Sequence, residues 1–138
     1  ERAVVARLDG VVIEGGRARA ADAVDPFADH PVAAVIRAGG LNPDPPPGVD
    51  RATVRELVRR GILIERDQVL FHRDAIAAAA QIAAELLAAD PAGFTVATFR
   101  DRTNTSRKYA LPILTELDAR GITRRRDDRR IPGPRLPS

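Results

Sequence analysis

Residues 55–70 and 115–130 align without a gap, 60 positions apart, and seven of the sixteen pairs are identical. These are Glu56/Glu116, Leu57/Leu117, Arg60/Arg120, Gly61/Gly121, Ile62/Ile122, Arg66/Arg126 and Asp67/Asp127. Two copies of one small unit are the simplest account of such a match, and they constrain the fold more than any composition figure. Each matched stretch reads as the end of a helix, a glycine stop and two short strands around a turn. With aromatic residues at 4% and no Cys, Met or Trp, the cores must be assembled from Leu, Ile, Val and Ala. Disulfides and thiolate zinc sites are excluded, and two isolated histidines, His30 and His72, offer nothing for a transition metal. His72 closes an apolar strand and reads as strand-end packing, and His30 beside Pro31 reads as a cap or loop residue.

The punctuation of the chain places the elements. Residues 4–20 alternate β-branched runs with glycines and read as a hairpin lacking a core of its own, belonging to a preceding unit. A short helix follows over residues 31–38, opened by Pro31 and closed by Gly39-Gly40. The Asn42-Pro43-Asp44-Pro45-Pro46-Pro47-Gly48 segment cannot be helical, because proline lacks the amide donor and restricts its predecessor. Asp50 is a helix cap for residues 51–60, where Val54, Leu57 and Val58 share a face. Ile62-Leu63-Ile64 and Val69-Leu70-Phe71 then flank a turn. The second half starts with a longer helix, 74–89, striped by Ile76, Ala79, Ala80, Ala83, Leu86 and Leu87. Thr95 caps a short helix to about residue 102, and Thr105 or Ser106 caps a third, running to 120 through Pro112, which should kink it. Two strands, 122–126 and 129–131, close the unit. The predicted class is α+β, mainly helical, with tandem helix-turn-helix-plus-hairpin modules, the winged-helix arrangement. Its divisions are 1–24 for the trailing hairpin, 25–73 for a structural module and 74–138 for a nucleic-acid-binding one.

Charge separates the copies. Residues 1–99 carry 11 arginines against 14 acidic residues, whereas residues 100–138 carry 11 basic against 5 acidic, an excess of six in 39 positions. In the first hairpin Ile62, Ile64, Val69 and Phe71 alternate, so one face packs on its helices. In the second, Arg124, Arg125, Arg126, Arg129 and Arg130 replace the apolar set and leave only Ile122 and Ile131 as anchors. Five unpaired guanidinium groups cannot be buried together, so most face water or a partner. The alternative is a solvated hairpin whose arginines pair with Asp118, Asp127 and Asp128. Ser106-Arg107-Lys108 adds two cations at the amino end of a helix, where they oppose the dipole unless an anion satisfies both. Tyr109 either covers the core or stacks on a base. Arg100 and Arg102 either extend this patch or are solvated. Neither histidine stands near a Ser/Asp pair with catalytic logic and no carboxylate cluster shares a helix face, so no enzymatic activity is expected. No apolar run of ~18 residues spans a bilayer, no secretory signal opens the chain, and the expected address is cytoplasmic. Glu1 in place of an initiating Met is what a fragment or a processed chain would show.

The stretch Thr105-Ser106-Arg107-Lys108-Tyr109-Ala110-Leu111-Pro112-Ile113-Leu114, followed by Leu117-Asp118 and Thr123-Arg124-Arg125, resembles the last winged-helix domain of the bacterial selenocysteine-specific elongation factor, SelB. The upstream module and Phe94-Thr95-Val96 are similar to that family too, so the resemblance covers most of residues 25–132, with 1–24 resembling the end of an earlier repeat. It implies proline within the third helix and binding of the selenoprotein messenger-RNA hairpin (SECIS) that marks a UGA codon for selenocysteine. The implied RNA-binding residues are Ser106, Arg107, Lys108, Tyr109, Arg124, Arg125, Arg126 and Arg129. The GTPase, with its GTP and magnesium, belongs to the amino-terminal part of the full-length family. No Gly-x-x-x-x-Gly-Lys loop occurs here, so no cofactor is expected in this chain. The implied partners are the mRNA hairpin and, through the rest of the factor, the ribosome and selenocysteyl-tRNA, with no membrane and a monomeric chain. Two positions depart from the family: Asn104 and the Asp127-Asp128 tip, where glycines are common. A winged-helix DNA-binding transcriptional regulator and a ribosome- or protein-docking module are the alternative functions.

Overall fold

The computed structural model describes residues 26–45 and 47–137; the hairpin expected over residues 4–20 lies outside them. Helix α1 (Pro31–Gly39) and helix α2 (Arg51–Arg59) precede the hairpin of β1 (Leu63–Arg66) and β2 (Val69–His72). Helix α3 (Arg73–Ala89), strand β3 (Phe94–Thr95), helix α4 (Val96–Thr103), helix α5 (Arg107–Ala119) and the hairpin of β4 (Thr123–Arg126) and β5 (Arg129–Pro132) follow. Both hairpins are antiparallel, with Arg66 opposite Val69 and Arg126 opposite Arg129 across their turns. This is the winged-helix architecture, in α+β form, that the periodicity and the turn residues predict.

Local chemistry sets the helix ends. The Nδ1 atoms of His30 and His72 accept the amides of Val32 (3.1 Å) and Asp74 (3.0 Å), so both histidines are N-caps. Asp50 and Thr95 cap α2 and α4 by their side-chain oxygens. Asn104 ends α4 at φ 56 and ψ 36, a left-handed position that asparagine tolerates better than other non-glycine residues. That explains its use where glycine is common. Pro112 sits in the second turn of α5, is buried, and does not interrupt the helix. Its missing N–H forfeits only the bond to the carbonyl of Lys108, close to the helix start.

Strand β3 was not expected from the sequence, being only two residues long. It pairs with β5, Phe94 opposite Arg130, and makes the second sheet three-stranded in the order β3-β5-β4. Gly93 makes this possible: it holds φ 119, and a Cβ there would lie 2.7 Å from the Arg130 carbonyl oxygen. The first sheet has two strands, β1 and β2.

Two apolar clusters hold the chain. The smaller contains Ala33, Ile36, Leu57, Ile62 and Leu63, with Leu70 against it. The larger contains Phe71, Ile76, Ala79, Phe94, Phe99, Ile113, Leu114 and Leu117, with Ile64, Val69 and Tyr109 against it. The first hairpin therefore does not have one packed face, as its alternation suggests, but two. Leu63 and Leu70 point into the first core, while Ile64, Val69 and Phe71 point into the second. The buried carboxylate of Glu116 adds a polar tie. Arg66 donates to it through Nε (3.1 Å) and Nη2 (3.0 Å), and Arg120 through Nε (2.7 Å). Burial acts to raise the Glu116 pKa, but the two guanidinium groups outweigh it and hold the carboxyl below its ordinary value.

Candidate nucleic-acid interface

The amino end of α5 is held from the first module. Thr105 Oγ1 donates to the Leu41 carbonyl (2.9 Å) and lies 2.7 Å from Asn42 Oδ1, across 64 and 63 residues of sequence. Ser106 occupies the N-cap position but makes no capping hydrogen bond. The amides of Arg107 and Lys108, in the first turn, are among the donors that a helix leaves unbonded at the positive end of its dipole. Ser106, Arg107 and Lys108 are exposed. Tyr109 is half-buried, meets Phe71 edge-on (ring centroids 6.4 Å apart, 82° between planes) and carries Lys108 Nζ 5.2 Å above its ring.

The wing arginines divide between two faces. Cross-strand neighbours share a face, so Arg125 lies with Arg130 and Thr123 on the side toward α5, and Arg124, Arg126 and Arg129 lie with Ile131 on the other. Arg124, Arg125, Arg126 and Arg129 are exposed. Asp127 and Asp128 pair with none of them among the described residues. Arg125 Nε instead donates to the Asp127 carbonyl (3.2 Å), and Arg129 Nη1 to the Gly93 carbonyl (2.8 Å). Asp127 takes φ 57 at the tip, a turn conformation open to aspartate as well as glycine.

Arg130 corrects the expectation that only Ile122 and Ile131 anchor this hairpin. It is 5% exposed and Thr123 is 1% exposed, and both converge on Asp118. Asp118 Oδ2 accepts from Arg130 Nη2 (3.0 Å) and Nε (3.2 Å), and Oδ1 accepts from Thr123 Oγ1 (2.6 Å). The 60-residue alignment places Val58, Leu63 and Leu70 at the same three positions of the first copy. An apolar triad there has become a paired polar triad here.

Between α5, β3 and the second hairpin lies an open cleft of about 290 Å³ lined by Thr95, Val96, Arg107, Leu111, Arg125 and Arg130, with Asp128 as the one acid of the lining. The cleft brings together the helix start and one wing arginine, Arg107 and Arg125. Arg124, Arg126 and Arg129 stand outside it, on the opposite face of the wing. Arg100 and Arg102 do not extend it: Arg102 pairs with Glu85, and Arg100 Nε is buried without a partner. No group of His, Cys, Asp and Glu among the described residues could hold a metal ion. No helix among them is long and apolar enough to cross a membrane.

Residues 85–131, which contain this whole surface, match the family model described as elongation factor SelB, winged helix. A solved structure, the mRNA-binding domain of elongation factor SelB from E. coli in complex with SECIS RNA, is similar to the chain. The two share 30% identity over 60% of this chain and 69% of that one, with a TM-score of 0.56. The chain belongs to the SelB family. No curated protein sequence matches it. Within this SelB-family chain the family match ends at Ile131, one residue before the end of β5.

Proposed function

We propose that this chain is the mRNA-binding portion of a selenocysteine-specific elongation factor and that it holds a SECIS-type RNA hairpin between the start of α5 and the second wing. The observation that carries this reading is the cleft shared by Arg107 and Arg125, which outnumber the single lining acid Asp128, open beside a helix amino end without a side-chain cap. A phosphate seated there receives charge-assisted bonds from guanidinium groups and backbone donors together, which removes the repulsion between Arg107 or Lys108 and the helix dipole. Lys108, braced on Tyr109, extends the positive edge. Arg124, Arg126 and Arg129 supply a second line of charge for the flanking backbone. Base contacts to an exposed loop would give sequence selectivity, since phosphate contacts position the RNA and carry no sequence information. The ribosome, selenocysteyl-tRNA and GTP belong, on this reading, to the remainder of a cytoplasmic factor, and the portion here acts as a monomer without catalysis.

Anisotropy titration with a labelled SECIS hairpin tests it. Replacing Arg107 and Lys108 together by Ala should abolish binding while circular dichroism and melting stay unchanged. For about four to six phosphates neutralised, log K should fall against log salt with a slope of ~0.7–0.9 per phosphate. Undiminished binding of the double variant, or preference for duplex DNA at equal salt, defeats the proposal; duplex preference is the mark of a DNA-binding regulator.

A further inference from the structure

The same place in the first module holds a different surface. Eleven residues, 40–50, join α1 to α2, and those of them that are described contain neither a strand nor a helix corresponding to β3 and α4. The cleft between α2 and the first hairpin is correspondingly larger, about 610 Å³ against about 290 Å³. Its floor is aliphatic, formed by Val49, Val54, Val58 and Leu70, and Arg51, Arg55 and Arg59 line it from successive turns of α2. Against these three cations stands one acid of the lining, Glu65. Arg59 is paired with Glu56, whereas Arg51 and Arg55 are exposed and make no ion pair among the described residues, Arg55 acting on Asp50 only at a distance.

Strand β2 borders this cleft with an edge that no other strand among the described residues pairs with. The Arg73 amide bonds to the Ile62 carbonyl, which fixes Ile62/Arg73, Ile64/Phe71 and Arg66/Val69 as the hydrogen-bonded pairs of the antiparallel ladder. The N–H and C=O of Leu70 therefore point away from β1, and no other described strand pairs with them. Arg130 is the corresponding residue of the second copy, and there the outward groups are taken by Phe94 of β3, whose ring is buried. The neighbouring loop cannot supply such a strand to β2, because Pro43, Pro45, Pro46 and Pro47 have no amide to donate.

We infer that the edge of β2 and its cleft receive an extended acidic segment of a partner protein, added as a third strand. An apolar side chain opposite Leu70 fills the aliphatic floor as Phe94 does in the second copy. Acidic residues two places to either side lie on the same face, ~13 Å apart, comparable to the ~12 Å from Arg51 to Arg59 along α2. A protein segment fits better than RNA, because the edge offers peptide-spaced donors and acceptors and the floor has no aromatic ring on which a base could stack.

The test is a nitrogen-15 NMR titration of the full chain with the capped pentapeptide Glu-Thr-Phe-Thr-Glu. The controls are Lys-Thr-Phe-Thr-Lys, a version N-methylated at Phe, and oligouridylate. Saturable shifts at Leu70, Val54, Val58 and Arg55 are expected, with the acidic peptide about tenfold tighter than the basic one. The N-methylated peptide should fail, and Arg55→Glu should reverse the charge preference. Four results would overturn the inference: absence of saturation at millimolar peptide, indifference to peptide charge, stronger shifts of the same signals by oligouridylate, or a Leu70 amide already protected from exchange in the free chain, which would mean the chain covers its own edge.

Discussion

At the scale of single residues, the replacement of Val58, Leu63 and Leu70 by Asp118, Thr123 and Arg130 shows how one site was made polar without an orphaned charge. Arg130 is buried, so its guanidinium is tolerable only because Asp118 takes both its Nε and Nη2. Asp118→Ala leaves that cation uncompensated and should cost about 3 kcal/mol in urea denaturation. Converting the three positions together to Val, Leu and Leu should restore most of this stability, since a buried ion pair and its apolar replacement are often equivalent. The triple variant should nevertheless bind hairpin RNA more weakly, because it removes Arg130 from the lining of the Arg107–Arg125 cleft. His72 is the second residue with a measurable signature. Burial pushes its pKa below the usual 6.5, against the pull of Asp74, so the folded chain binds fewer protons than the unfolded one. Stability is complete above pH 6.5 and falls as the pH drops below it, because protonation of the cap nitrogen breaks the bond to the Asp74 amide. Melting temperature should decline between pH 7.5 and 5.5, and His72→Asn, which caps without titrating, should flatten that decline.

At the scale of elements, the two hairpins present the same pair of faces to different surroundings. Ile64, Arg66, Val69 and Phe71 form the face of the first hairpin that the following module covers; Arg124, Arg126, Arg129 and Ile131 form the corresponding face of the second. No described element covers that second face, so its arginines stay in water whether or not RNA is bound. This gives Arg124 and Arg126 a role independent of RNA and ranks them below the cleft residues. Arg124→Ala with Arg126→Ala should weaken hairpin binding only a few-fold and lower the salt slope by about one or two phosphates. Arg107→Ala with Lys108→Ala should abolish binding. The repeat, the caps at Asp50 and Thr95 and the arginine excess were legible in the sequence because each is carried by residues close in the chain. Strand β3 was not, since two residues have no period to read. The burial of Arg130 depends on an acid 12 positions earlier, and the setting of Thr105 on a carbonyl 64 positions away. The split of the wing arginines follows from period-two alternation and was readable, but a count of charges does not reveal it.

At the scale of the whole molecule, the first hairpin is a layer shared by both cores, and that decides how the chain should unfold. Ile64, Val69 and Phe71 cannot leave the second core without also withdrawing Leu63 and Leu70 from the first. Cooperativity should therefore span both modules, with the Arg66–Glu116–Arg120 cluster strengthening a junction that is mainly apolar. Glu116→Ala removes the one acceptor that two guanidinium groups share, and its cost should be about 2 kcal/mol. Because the folded pKa of Glu116 lies below its ordinary value near 4.5, the contribution is complete above that pH and is lost as the pH falls through the folded value. The variant and the parent should accordingly converge in stability in strong acid. Urea unfolding of the variant, followed by circular dichroism and by fluorescence of Tyr109 at the junction, should remain one coincident transition. Two separated transitions would mean that the modules fold independently and that the hairpin does not couple them. Thr105 is set by the first module, so independent modules would also leave the start of α5 free to shift and should reduce hairpin affinity, whereas a coupled pair should lose less than about threefold.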